Sequence, residues 1–120
     1  MEPTDTVFTA YNENRKHTIT LLEGKPLTFG RAHIVYQRSF MATKIDAIKH
    51  TVEHADIGYK DKDYDNRERI YCLGADSTRP FMYMTVVVQY NSIADGTIIT
   101  AWPTDKITGG GDIAYIKPKY

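Results

Sequence analysis

The residues of this chain best suited to chemistry are four histidines, two arginines two positions apart and a threonine set in an apolar run. His50-Thr51-Val52-Glu53-His54 spells H-x-x-E-H, two histidines on one helix face with a glutamate between them, the spacing of a zinc hydrolase. Context speaks against a metal. The pattern needs a third ligand, and the only downstream glutamate is Glu68, in a polar stretch just past the helix. Both histidines also fall about 200° around the helix from Ile48 and Val52, at 100° per residue. They read as solvated side chains near a helix C-terminus, where their charge suits the macrodipole. No metal and no cofactor are expected. Gly109-Gly110-Gly111 is followed by Asp112, not by the lysine and hydroxyl residue of a phosphate-cradling loop, and reads as a flexible break. Cys72 is the only cysteine, which excludes an intramolecular disulfide and a multi-cysteine zinc site. It alternates opposite Arg69 and Tyr71, as a core residue would.

His33 is more informative. It follows Gly30-Arg31 and precedes Ile34 at the start of a helical region. Arg67, Arg69 and Tyr71 share one strand face by the alternation of two. Thr100 lies inside Ile98-Ile99-Thr100-Ala101-Trp102 and shares a face with Trp102. A hydroxyl in such an apolar strand must find a partner or open onto a cleft. Each has a bland reading: a structural histidine, an exposed arginine face, and β-propensity at the threonine.

The elements that would position these residues are legible from periodicity. Val7–Tyr11 and His17–Leu22 read as an N-terminal hairpin, with Pro26–Phe29 as a short edge strand. Met41, Ile45, Ile48, Val52 and Ala55 follow the spacing of one helix face. Thr43 with Asp46 resembles a capping box, and Asp56-Ile57-Gly58 reads as the helix stop. Arg31–Arg38 reads as a separate short helix. Tyr59–Glu68 is polar and reads as a surface loop. Arg69–Leu73, Phe81–Tyr90, Thr97–Trp102 and Ile113–Ile116 read as strands, with Asp95-Gly96 as a turn. The unbroken Val86-Val87-Val88 fits a central strand covered on both faces. The fold class expected is α+β: an N-terminal hairpin and one or two helices packed on a roughly four-stranded antiparallel sheet.

The 120 residues suit a single domain, 1–120, and 42% hydrophobic with 25% charged residues is an ordinary globular balance. Fifteen basic residues match fifteen acidic ones. That argues against indiscriminate nucleic-acid binding but leaves room for a basic cleft on a neutral body. Nine tyrosines supply rings useful in cores, at interfaces and under stacked bases. The acidic start, Met1-Glu2-Pro3-Thr4-Asp5, is unlike a signal peptide, and no apolar run approaches a membrane span. A cytoplasmic setting without membrane attachment is expected.

Taken in order, His33-Ile34 with Arg38, the helix ending His54-Ala55-Asp56-Ile57, the strand with Arg69 and Tyr71, Val86-Val87-Val88 and Ile99-Thr100-Ala101 resemble phage-associated nuclease domains of the barnase, EndoU, colicin and RelE-like superfamily. The likeness covers roughly Arg31 to Pro103. The chain is then divided into N-terminal strands, 1–30, and a nuclease-like core, 31–120. The resemblance implies a metal-independent ribonuclease, a toxin module or phage-borne effector with RNA as substrate and a protein inhibitor or host protein as a further partner. It implies His33, Arg69 and Thr100 as catalytic residues and Arg38, Arg67 and Tyr71 as substrate-binding ones. Where some members carry a second histidine this chain has Ser39, and Ala55 stands where proline is common. The residue types suit the chemistry. Histidine can give or take a proton near neutral pH, arginine matches phosphate oxygens with a planar fork, threonine can bond a phosphate oxygen, and Tyr71 could stack on a base. The second proton-transfer partner is unassigned. The alternative is a non-catalytic phage or host-takeover module that binds a protein through a tyrosine-rich sheet.

Overall fold

β-branched and aromatic residues recur in every segment that pairs into the sheet, and the one strong helical stripe packs across it. The computed structural model describes residues 2–108 and 111–118. Along the chain run β1 (Thr6–Asn12), β2 (His17–Leu22), α1 (Gly30–Gln37), α2 (Ile45–His54), β3 (Ile57–Lys60), β4 (Arg67–Leu73), β5 (Tyr83–Tyr90), β6 (Asp95–Thr104) and β7 (Ile113–Ile116), with a 3-10 turn at Ser39–Thr43 between the helices. The strands form one sheet in the order β1-β2-β6-β5-β4-β3-β7. Every neighbouring pair is antiparallel except β2 and β6, which run parallel from Thr18↔Asp95 to Thr20↔Thr97.

The α+β class is as expected, but the roughly four-stranded antiparallel sheet is corrected to seven strands of mixed direction. The N-terminal hairpin, set apart in sequence from a core of 31–120, extends this same sheet through β2. β3 occupies the start of the stretch read as a loop, too short to show a period. Gly58, read as the helix stop, lies in β3, where a Cβ would come within 2.7 Å of the Glu68 carboxylate. The glycine is what lets that carboxylate lie against the strand. Pro26–Phe29 forms no strand and closes with a single bridge, Lys25↔Phe29. The Thr43–Asp46 capping box is absent as well: Lys44 is the N-cap of α2, and the Thr43 hydroxyl donates to the Phe40 carbonyl at 3.2 Å. Lys44 instead reaches Asp76 at 3.1 Å, which also accepts from the Thr78 amide and hydroxyl and from Arg79. Burial opposes the Asp76 charge, but these donors outweigh it and hold the carboxyl well below the usual range. The triple-glycine break falls mainly on residues 109 and 110, outside the described residues.

One face of the sheet carries the core. Ile19 and Leu21 of β2, Ile70 of β4, Met84, Val86 and Val88 of β5, and Ile98 and Ala101 of β6 meet Ile34, Met41, Ile48, Val52 and Ala55 from the helical side. Ile48 has no exposed surface. Ile48→Ala is therefore expected to lower stability by about 2–5 kcal/mol, the usual cost of such a truncation. An unchanged urea denaturation curve would remove α2 from the core. Among the described residues, no helix is long and apolar enough to cross a membrane.

Candidate functional site

Arg67, Arg69, Tyr71 and Thr100 share the other face of the sheet, opposite the core. Register lines them up in rows across β4, β5 and β6. Arg69 pairs with Val87, which pairs with Thr100; the next row is Tyr71, Thr85 and Trp102; on the other side lie Arg67, Gln89 and Thr97.

Thr100 reaches this face through a bulge. Ile98 sits opposite Val88 on the core side, yet Thr100, two residues on, sits opposite Val87. Ile99 is the extra residue. Without it, alternation from Ile98 would send Thr100 and Trp102 into the core; with it, Ala101 takes the core position and both of those side chains turn outward.

α1 borders the same face. β2 and β6 part beyond Thr97, and α1 packs beside β6 in the gap, with Ile34 reaching the core. Ahead of α1, Gly24 and Gly30 both take positive φ, +72° and +84°, where their backbones touch. A Cβ at Gly24 would lie 1.9 Å from the Phe29 carbonyl oxygen, so only glycine closes this loop. The Arg31 guanidinium bonds back to Glu23, with Nη2 to Oε2 at 2.8 Å. The closed loop places Thr28 and Phe29 beside Arg67, Gln89, Asn91, Thr97 and Ile99 around an open cleft of about 350 Å³. At the far end of the helix, the Arg38 guanidinium stands 5.8 Å from the centre of the Trp102 ring. Thr100 lies between these two contacts on β6.

His33 lies on α1, between Phe29 and Arg38 in the chain, and is half-buried. Its Nδ1 donates to the Pro26 carbonyl at 2.8 Å, since a carbonyl can only accept. That bond leaves Nε2 with the lone pair in the neutral ring. At 100° per residue, His33 projects about 200° away from Arg31, whose side chain is turned to Glu23. Among the described residues, no hydrogen bond joins His33 to Arg69 or Thr100.

The face is cationic. Arg69 also stands 5.8 Å from the Trp102 ring, and its Nε lies 3.9 Å from an Asp61 carboxylate oxygen, a loose pair. Arg67 donates to Gln89 at 3.0 Å and covers the Tyr64 ring at 4.0 Å. Neither Arg38 nor Arg67 is paired with a carboxylate among the described residues. The Thr100, Thr85 and Tyr71 hydroxyls are all buried and without a hydrogen-bond partner. An unmet buried hydroxyl costs about 1–3 kcal/mol, and no protein atom among the described residues supplies these three with a partner.

Tyr71, expected to stack on a base, is only 1% exposed, with Tyr59 and Tyr83 edge-on to it at 6.1 and 6.3 Å. The aromatic ring that Arg38 and Arg69 both approach is Trp102, which in the sequence is only a neighbour of Thr100. Its signal was the shared alternation with Thr100. Cys72 faces the core, and burial with the nearby Asp56 charge pushes its thiol up to about 11, so it offers no nucleophile. His50 and His54 are exposed on α2 with ring centres 4.6 Å apart. Among the described residues, no three His, Cys, Asp or Glu side chains are placed to hold a metal ion. Comparisons with protein-family models, with curated proteins and with solved structures found no match to this chain.

Proposed function

We propose that the protein is a small endoribonuclease that needs no metal and cleaves RNA by attack of its 2′-hydroxyl. The observation that carries this reading is the Arg69–Val87–Thr100 row, with an unmet threonine hydroxyl at one end and a guanidinium at the other. A phosphodiester over Val87 would meet both. The 2′-oxygen loses its proton and bonds to phosphorus, the bond to the 5′-oxygen breaks, and that oxygen takes up a proton. The products are a cyclic phosphate and a free 5′-hydroxyl. Arg69 and Thr100 would stabilise the charge that builds on the phosphorane oxygens. His33, with Nε2 free, would carry one of the two proton transfers. Arg38 and Arg67 would hold neighbouring phosphates.

The test is incubation of purified protein with tRNA, mRNA and ribosomes in EDTA. RNA should be cut to ends bearing a cyclic phosphate, and DNA should survive because it lacks the attacking hydroxyl. Well-folded protein that cuts no RNA in the panel would overturn this reading in favour of a protein-binding module.

A further inference from the structure

The rows of the open face have an order that bears on the shape of the substrate. Trp102 lies on one side of the Arg69–Thr100 row, and the cleft beside Arg67 lies on the other. Two residues of antiparallel strand advance about 6.8 Å, so the outer rows stand roughly 13–14 Å apart with Arg69 midway.

We propose, resting on the ribonuclease reading, that this face takes a single-stranded RNA segment of at least two nucleotides. One base stacks on Trp102, the next enters the cleft beside Arg67 and Gln89, and the phosphodiester joining them lies on the Arg69–Thr100 row.

Two observations point to this occupant. The first is charge. Arg38, Arg67 and Arg69 gather on one face of a chain that is neutral overall, with Asp61 as a single loose counter-charge among the described pairs. That concentration suits a polyanion. The second is the ring. Two guanidinium groups stand 5.8 Å from the centre of the Trp102 ring, an aromatic platform with cations beside it, which is how single strands are held without sequence readout. A duplex fits none of this, because its bases are stacked on one another and cannot leave to occupy two separated subsites.

Trp102 is the sole tryptophan, so its fluorescence reports directly on the proposed subsite. The probe is a short 2′-O-methyl oligouridylate, which cannot undergo 2′-hydroxyl attack and so separates binding from cleavage. Titration should change the emission saturably, with affinity falling as salt is raised. The same strand annealed to its complement should leave the emission unchanged at those concentrations. Trp102→Ala should weaken binding of a labelled oligomer by about 5- to 150-fold, the worth of one stacked base. Trp102→Phe, which keeps a ring, should lose much less, and both variants are compared at matched folded fraction by denaturation. Arg67→Ala should weaken the oligomer but leave uridine monophosphate, which fills one subsite, little changed. Unaltered Trp102 emission during oligomer binding, or equal affinity for the duplex, would overturn the layout even if RNA is still cut. A saturable change in a protein that cuts no RNA would keep the layout and overturn the ribonuclease reading. No binding of any oligomer would overturn the layout and leave the face to a protein partner.

Discussion

On the proposed ribonuclease reading, His33→Ala is expected to slow RNA cleavage by about 10²–10⁴-fold, the usual worth of a positioned acid or base. The expectation rests on how the ring is held. Its Nδ1 is committed to the Pro26 carbonyl, and Pro26 sits in a loop closed by Gly24 and Gly30 in conformations that only glycine adopts easily. The imidazole is thereby held in one orientation, which leaves Nε2 as the atom for the proposed proton transfer. Arg69→Lys is expected to be damaging too. Lysine keeps the charge but loses the planar fork, and it cannot span both Asp61 and a phosphate in the same plane. Single-turnover cleavage of one RNA by the wild type and both variants is the measurement. Wild-type rates in His33→Ala would show that another group moves the proton.

The second large effect concerns stability. Arg15→Met is expected to destabilise the fold by about 3–5 kcal/mol, because it strands a buried carboxylate. Glu68 is 6% exposed and meets Arg15 through a double contact, with Nη1 to Oε1 and Nη2 to Oε2, the latter at 3.2 Å. The guanidinium also lies over the Tyr115 ring at 4.8 Å, tying β7 to the hairpin turn. Nearby groups register the same environment. Burial first, then the Glu68 charge, pushes the Tyr90 phenol up, and burial first, then Arg15, pulls His17 down. Replacing both partners, Arg15→Met with Glu68→Leu, should recover most of the loss, since an apolar pair leaves no charge unpaired. Urea denaturation of the two single variants and the double gives the coupling. A single variant within about 1 kcal/mol of wild type would show that water reaches Glu68.

Much of the framework was legible in sequence because it follows local periodicity. The stripe Met41, Ile45, Ile48, Val52, Ala55 lies in or against the core, although the chain divides it between a 3-10 turn and α2. The runs around Tyr71, Val87, Thr100 and Tyr115 are all strands. Alternation correctly grouped Arg67, Arg69 and Tyr71, and placed Cys72 on the other side. What escaped depends on partners distant in the chain. The bulge at Ile99 is defined only by its register with β5, so the side that Thr100 takes cannot be counted from β6 alone. The burial of Tyr71 depends on Tyr59 and Tyr83 from two other strands. Trp102 became a centre of the site only once Arg38 and Arg69 arrived from elsewhere. The parallel meeting of β2 and β6 leaves no local trace, because each strand carries only its own half of the pattern.

That parallel pairing also dictates an order of events during folding. β1 and β2 can find each other locally, but a two-stranded hairpin is marginal alone in water. Its neighbour in the sheet, β6, lies near the other end of the chain, with both helices and three strands between them. Closing so long a loop costs entropy before the pairing returns any gain, and such contacts slow folding. On the ribosome the hairpin therefore waits, with the inner edge of β2 open, until Asp95–Thr97 has emerged. Pulse-labelled refolding should show amide protection in β4 and β5 before protection at Thr18–Thr20. While it waits, that inner edge of β2 is exposed to pairing with a copy of this chain.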